Sequence, residues 1–221
     1  MATPASTSAN SSSKRHSILP PVSQAGPKPP VQFSSSITIA DSALLTGSHT
    51  ILAGSESVIH PRARLDSSGG RITIGRRCIV HERSIVGGNA ATVTLSPSRG
   101  SKTSDTLLSP LPSSAGVTLA DYVLVDVGAV IEAGDTVVGE GTTVGVGARV
   151  CAGAVVGKHC TLTPHTVVAA GDVVPDFTVI YSKGLRRRDL RGVPELRNKG
   201  QARQIEVLRR MIPSNPGKFS S

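Results

Sequence analysis

The fold is decided by residues 119–180, which read, divided at the large aliphatic residues, LADYVL VDVGAV IEAGDTV VGEGTT VGVGAR VCAGAV VGKHCT LTPHTV VAAGDV VPDFTV I. An aliphatic residue recurs at every sixth position, and the block that starts at Ile131 holds one extra residue. An amphipathic helix would repeat near 3.6 residues and a half-buried strand at two, so neither fits. A fixed six-residue repeat is typical of a parallel β-helix, in which each hexad gives one strand and one bend.

The place of a residue within its hexad predicts the direction of its side chain. Three hexads close one triangular coil, and coils stack at the inter-strand distance of about 4.8 Å. We expect the first aliphatic residue and the small residue four positions later to point into the prism. Glycines serve bends that need a positive φ or have no room for a Cβ. The predicted core therefore includes Val144, Val150, Val156 and Leu162.

Changes in composition divide the chain into three parts. Residues 1–36 are rich in Ser and Pro with few apolar anchors, so we expect a disordered tail. Residues 37–182 carry the hexads, interrupted by a predicted disordered corner loop at 87–116. Residues 183–221 form a basic C-terminal segment with a predicted helix at about 199–212, started by Asn198 and stopped by Pro213. We expect this helix to cap the end of the coil stack, because an uncapped end exposes unpaired backbone.

The corner loop contains two Ser-Pro dipeptides, at Ser96 and Ser109. Both could be proline-directed phosphorylation sites, but such dipeptides are common in disordered segments. We interpret the stretch as a plain loop, and the sequence leaves its phosphorylation open.

The positive charge is concentrated at the C-terminal end. Residues 1–182 contain 13 Lys/Arg and 12 Asp/Glu, whereas residues 183–221 contain 11 and 3. The cluster Arg186, Arg187, Arg188 and Arg191 could meet nucleic acid or an acidic protein partner. No aromatic residues are interleaved to stack on bases, so we favour the acidic partner and expect no nucleic acid. No long apolar run is present, so we expect no membrane insertion and an intracellular, soluble protein.

Gamma-type carbonic anhydrases are one enzyme class with this architecture. Residues 74–82, IGRRCIVHE, resemble that family, whose zinc is held by three histidines. The positions that correspond to those histidines hold Gly87, Val127 and Glu132. Gly and Val supply no ligand, so we expect no metal site and no other cofactor.

Hexapeptide acyltransferases are the other enzyme class, and they need a histidine as general base. His60, His81, His159 and His165 are available, and His159 and His165 both fall in predicted bends. Neither a paired acid nor an acyl-donor groove is evident beside them. We therefore expect no catalytic residues and no enzyme, with a carbonic anhydrase-like or acyltransferase activity kept as the alternative.

Four motifs in order resemble the dynactin subunit six family. They are residues 58–65 (VIHPRARL), 72–75 (ITIG), 174–181 (VPDFTVIY) and 211–215 (MIPSN). The resemblance covers about residues 37–215, and the subunit five family is the runner-up. It implies an all-β fold, a single-stranded left-handed parallel β-helix of hexapeptide repeats with a C-terminal α-helix. The hexad period by itself does not give this handedness.

The same resemblance implies a function. It predicts a non-catalytic structural or adaptor subunit in the pointed-end subcomplex of dynactin, supporting dynein-driven transport along microtubules and cargo targeting. The implied partners are the β-helical sister, subunit five, and the other pointed-end subunits, with dynein and cargo adaptors as indirect partners. The implied location is the cytoplasm and cytoskeleton.

One face of the predicted prism is apolar on its outer side. The residues before the inward positions of this face are Val137, Val155 and Val173. A contiguous exposed apolar area usually marks a contact. We predict that this face is covered, either by the C-terminal helix through a stripe of Ile205, Leu208 and Met211 or by the sister subunit.

Overall fold

The hexads form short strands joined by tight bends in the computed structural model, which describes residues 27–88, 115–190 and 193–219. Strands of successive turns pair in parallel and build three flat sheets around a prism. The predicted left-handed parallel β-helix with one C-terminal helix is confirmed, with about six turns.

The strands alternate regularly among the three faces. The first face contains β1 (Val31–Phe33), β4 (Ile51–Ala53), β7 (Ile72–Ile74), β10 (Val117–Leu119), β13 (Thr136–Val138), β16 (Val155–Val156) and β19 (Val173–Val174). The second face contains β2 (Thr38–Ile39), β5 (Val58–Ile59), β8 (Ile79–Val80), β11 (Leu124–Val125), β14 (Thr143–Val144), β17 (Thr161–Leu162), β20 (Thr178–Ile180) and β21 (Arg186–Arg188). The third face contains β3 (Leu44–Gly47), β6 (Arg64–Ser67), β9 (Ile85–Gly88), β12 (Val130–Glu132), β15 (Arg149–Val150) and β18 (Val167–Val168).

The core is the column of inward aliphatic side chains along the prism axis. Val144, Val150, Val156 and Leu162 are all buried, which confirms the predicted register. Burial of each such side chain contributes about 1.5–3 kcal/mol. Small inward residues such as Ala148 and Ala154 fill the corners, where little room is left.

Departures from the six-residue period lie at the corner between the third and first faces. In β4 both Ile51 and Ala53 are buried. The two extra residues between Ile51 and Ile59 therefore lie in this strand, and the six-residue period resumes from Ala53. The extra residue after Ile131 produces a register shift between Ile131 and Glu132. The predicted loop at 87–116 falls at the same corner, because β9 extends to Gly88 and β10 begins at Val117. Residues 89–114 of this loop lie outside the described part of the chain. Strand β10 pairs directly with β7, so the stack continues past this insertion.

The N-terminal end of the solenoid differs from the prediction. Strand β1 (Val31–Phe33) pairs with β4, so the β-helix begins before the predicted boundary at residue 37. The predicted disordered tail is therefore too long at its C-terminal end. Val31 and Phe33 pack against the core, and these two side chains are the apolar anchors that the Ser/Pro-rich composition conceals.

The C-terminal helix also differs in its start and position. Helix α1 runs from Pro194 to Met211, and Val193 rather than Asn198 is its N-cap. Proline suits the first helical position because it lacks an N–H and has a helical φ. The helix lies along the second face rather than across the end of the stack, with Ile205 packed on Val58 and Ile79. The predicted cap at the end of the stack is therefore wrong.

Two other segments lie at the ends of the prism. Strand β21 pairs antiparallel with β20 at the C-terminal end. At the N-terminal end, the chain after α1 bridges to the first coil, where Ser214 Oγ accepts a hydrogen bond from the Ile39 N–H at 3.0 Å. Phe219 follows a short 3-10 turn (Pro216–Lys218) and is buried in the core cluster. Its ring closes the open end of the prism.

Candidate functional site

Three polar residues stack at the corner between the second and third faces: His60, His81 and Asp126, which we call the histidine corner. Each follows the last residue of a second-face strand, in β5, β8 and β11. Because these strands pair in register, the residues that follow them fall above one another. The His60 N–H donates to the Val80 carbonyl and the His81 N–H to the Val125 carbonyl, both at 2.9 Å.

The side chains of the histidine corner are in contact. The rings of His60 and His81 lie 4.3 Å apart between centroids, with 37° between their planes. His81 Nε2 is 4.0 Å from Asp126 Oδ1, and these two side chains are 17% and 30% exposed. Nε2 of His60 is buried, with no hydrogen-bond partner among the described residues.

Burial controls the charge of both imidazoles. Burial and, to a smaller extent, the neighbouring His81 lower the pKa of His60 to about 4, and Glu82 opposes this shift. Burial also lowers the pKa of His81, although Asp126 and Glu82 oppose the shift. Both rings are therefore neutral at pH 7. A neutral, partly exposed imidazole beside a carboxylate has the chemistry of a general base.

The other histidines of the described residues lie apart from this corner. His159 stacks on Phe177 with 5.3 Å between ring centroids, at the corner between the first and second faces. His165 is exposed in a bend of a later coil. His49 contacts the Ser67 carbonyl at 2.8 Å. Of the four histidines considered from the sequence, the structure brings together only His60 and His81.

The valines of the expected partner face lie on the outer side of the first face. Val137, Val155 and Val173 stack in register on the first face and are 37%, 39% and 63% exposed. We call them the valine ladder. Helix α1 does not cover this ladder, so the interpretation that matched it to the helix is wrong.

The helical stripe lies elsewhere. Ile205 is buried against the second face and Leu208 packs at the rim of the same contact, whereas Met211 is 72% exposed. The second face attracts the helix because its outward residues Val58 and Ile79 are apolar too.

The positions compared with a zinc site are occupied by other interactions. Gly87 is buried in β9, where an added Cβ would lie 2.4 Å from the Asp66 carbonyl oxygen. The buried Glu132 carboxylate accepts hydrogen bonds from Arg149 Nε at 2.7 Å and the Ala152 N–H at 3.1 Å. In the described ranges, no three His, Cys, Asp or Glu side chains are grouped to hold a metal ion. Over the same ranges, no helix has the length and apolar character needed to cross a membrane.

Sequence reasoning missed Asp126. It lies far along the chain from His81, beyond the long corner insertion. A signal was nevertheless present, because Asp126 follows Val125 at the same hexad phase at which His81 follows Val80 and His60 follows Ile59.

Comparison with solved structures identifies proteins of the same fold. A candidate acetyltransferase from Bacillus cereus superposes with a TM-score of 0.64 at 17% identity, covering 83% of this chain and 91% of that chain. A hexapeptide transferase family protein from Anaplasma phagocytophilum gives a TM-score of 0.62 at 16% identity, covering 82% and 91%. No protein family model matches the sequence, and no curated protein matches it.

This finding corrects the expectation that the chain is not an enzyme. Both solved structures named above carry transferase descriptions, so the architecture gives no ground for setting enzymes aside. The expectation rested in part on the absence of an acid beside a histidine, and Asp126 beside His81 removes that part of the reason.

Proposed function

We propose that the chain is a hexapeptide-repeat acyltransferase in which His81 acts as the general base. The observation that carries this proposal is the histidine corner, with a neutral His81 held between the His60 ring and the Asp126 carboxylate. The transferase descriptions of the two proteins that share the fold support the same class of reaction.

The corner suits the proton transfer that acyl transfer requires. His81 would take a proton from an acceptor hydroxyl or amine as that group attacks the carbonyl carbon of a thioester donor. A C–O or C–N bond forms, the C–S bond breaks, and the thiolate leaves and takes up a proton. The Asp126 carboxylate favours the tautomer of His81 with its proton on Nε2, so that Nδ1 is free to accept a proton. The same carboxylate stabilises the imidazolium that then forms. The lowered pKa of His81 keeps the base active at a lower pH than an ordinary histidine.

The test is thiol release from acetyl coenzyme A by the full chain with a panel of amine and hydroxyl acceptors. His81→Asn should reduce the rate by about 10²–10⁴-fold. His165→Asn is the matched control, because it changes an exposed bend histidine in the same way. Equal rates in the wild type and His81→Asn, or no effect of acetyl coenzyme A on either the thiol signal or the melting temperature, would refute the proposal.

A second proposed role is that of a subunit of the dynactin pointed-end subcomplex, acting in dynein-driven transport in the cytoplasm. The valine ladder favours it, because three stacked exposed valines give an uncharged surface along the prism. Such a surface fits the flat face of a second β-helix, as in the sister subunit five that the sequence motifs imply. The motifs at residues 58–65 and 174–181 carry the resemblance on which this proposal depends.

Affinity purification from cells tests this second role. Val155→Arg should abolish co-purification of the pointed-end subunits, because it places a charge in the centre of the valine ladder. Val167→Arg is the matched control on the third face, where Val167 is also exposed. Retention of the same subunits by both variants would count against the valine ladder as the contact.

A further inference from the structure

Strand β21 leaves a free edge at the C-terminal end of the second sheet. It pairs antiparallel with β20, and it is the last strand of that sheet in the described part of the chain. The Tyr181 N–H donates to the Leu185 carbonyl at 2.9 Å, and the Asp189 N–H donates to the Phe177 carbonyl at 2.6 Å.

These two hydrogen bonds show which residues of β21 turn their backbone groups toward β20. In an antiparallel pair, successive residues turn their backbone groups alternately toward and away from the neighbouring strand. Leu185, Arg187 and Asp189 therefore use their backbone groups toward β20. The N–H and C=O groups of Arg186 and Arg188 point to the free edge, where they match the spacing of one more strand.

The side chains along this edge are cationic. Arg186, Arg187 and Arg188 are exposed, and Lys183 precedes them in the same turn. The Arg186 side chain bonds to Asp172, which places its charge over the end of the prism. Edges that carry Lys or Arg repel other basic edges, which protects them from random pairing. The same charges attract an acidic strand.

Apolar side chains flank the arginines. Leu185 and Leu190 are exposed on either side of the strand. Leu190 also lines a hollow of about 340 Å³, whose other walls are Val179, Tyr181, Arg187, Arg188 and Asp189. An arriving strand would therefore find free backbone groups, cations and exposed leucine side chains together.

We propose that the free edge of β21 binds an extended acidic segment of a partner protein by strand addition. Its backbone would pair with Arg186 and Arg188, and its Asp or Glu side chains would lie beside the arginines. The chain does not supply this segment from its own undescribed parts. Residues 1–26 contain no Asp or Glu, and residues 89–114 contain only Asp105. A protein strand fits better than nucleic acid, because only a peptide backbone offers matching N–H and C=O groups.

The experiment measures binding of a labelled synthetic peptide of alternating valine and glutamate to the full chain. Three further probes define the mode: the same peptide with N-methylated backbone amides, polyglutamate, and a single-stranded RNA oligonucleotide. The variants are Arg188→Glu and the control Arg203→Glu, which makes the same charge change on an exposed position of α1. Amide hydrogen exchange at Arg186 and Arg188 reports directly on the edge.

The valine–glutamate peptide should bind saturably and slow the exchange of the Arg186 and Arg188 amides. Arg188→Glu should weaken binding about fivefold or more, whereas Arg203→Glu should not change it. N-methylation should remove binding. Equal binding of the N-methylated peptide or of polyglutamate, tighter binding of the RNA, or no binding of the peptide would each overturn strand addition at β21.

Discussion

At the corners of the prism, the distance to the next coil determines whether a residue can carry a Cβ. An added Cβ at Gly145 would lie 2.5 Å from the Leu162 carbonyl oxygen in the coil above. At Gly128 an added Cβ would meet nothing within 4 Å, and the residue has a φ of +67°. Arg62 and Arg83 adopt similar positive φ angles at the equivalent bend position of other coils. Position 145 therefore requires glycine because the backbone of the next coil lies too close for a Cβ. At position 128 the positive φ is the only reason for glycine.

This difference predicts unequal costs for two substitutions. Gly145→Ala should lower the free energy of unfolding by about 2–3 kcal/mol, because the backbone of two coils must separate. Gly128→Asn should cost under about 1 kcal/mol, since asparagine tolerates left-handed bends. Chemical denaturation of both variants measures the difference. Similar losses in the two variants would show that spacing between coils does not select these glycines.

The pKa of His60 makes stability depend on pH. An unfolded histidine takes up a proton near pH 6.5, whereas folded His60 does so only near pH 4. Acid therefore favours the unfolded chain: this part of the stability is complete above pH 6.5 and is lost as the pH falls toward 4. Between pH 7 and pH 5 the loss should be about 1–2 kcal/mol.

The matched variants are His60→Gln, which should flatten the decline in melting temperature between pH 7 and pH 5, and His165→Gln, which should keep it. An unchanged slope in His60→Gln would contradict the assigned burial of this ring.

At the scale of elements, helix α1 is a lateral strap along the coil stack. Its 18 residues span about 27 Å, which is about the height of six stacked strands. Near its start Arg197 binds Asp189 at 2.8 Å, and farther along Gln201 donates to the Arg77 carbonyl at 2.9 Å. Ile205 is only 2% exposed and is the buried anchor of the helix.

Truncation of that anchor should loosen the helix without breaking the coils. Ile205→Ala should cost about 2–4 kcal/mol, because it leaves a cavity against Val58 and Ile79. Val207→Ala is the control, since Val207 is exposed on the same helix. Limited proteolysis should cut Ile205→Ala within the helix segment faster than Val207→Ala. Equal protection of the two variants would mean that Ile205 does not hold the strap.

The existence of this helix was predictable from sequence, but its docking surface was not. The apolar spacing and Pro213 indicate a helix and its end correctly, whereas the start was missed because Asn198 looks like a better cap than Val193. The second face attracts the helix through Val58 and Ile79, which occupy the position before an inward residue. Val155 occupies the same hexad position on the first face, so hexad position alone does not distinguish the two surfaces.

Across the full coil stack, the six-residue period predicts the repeating core positions, but it does not predict the contacts between distant coils. The inward core followed directly from the hexads. The closure of the prism by Phe219 and the contact of Ser214 with Ile39 join residues from opposite ends of the chain, and no local pattern indicates them. The histidine corner was half predictable. His60 and His81 were recognised as available histidines. The position of Asp126 beside them becomes clear only when β11 is paired with β8 across the long insertion.

The core and each surface described above depend on one assignment of inward and outward positions, and the neighbouring residues Val155 and Val156 test it most directly. Val155 is 39% exposed and Val156 is 1% exposed. In Val156→Asp a carboxylate without a partner would lie inside the prism, at a cost of several kcal/mol, which is comparable to the whole stability of a domain. Thermal unfolding followed by circular dichroism should show a cooperative transition near the wild-type temperature for Val155→Asp and no folded baseline for Val156→Asp. A cooperatively folded Val156→Asp protein, or an unfolded Val155→Asp protein, would contradict the register on which the account depends.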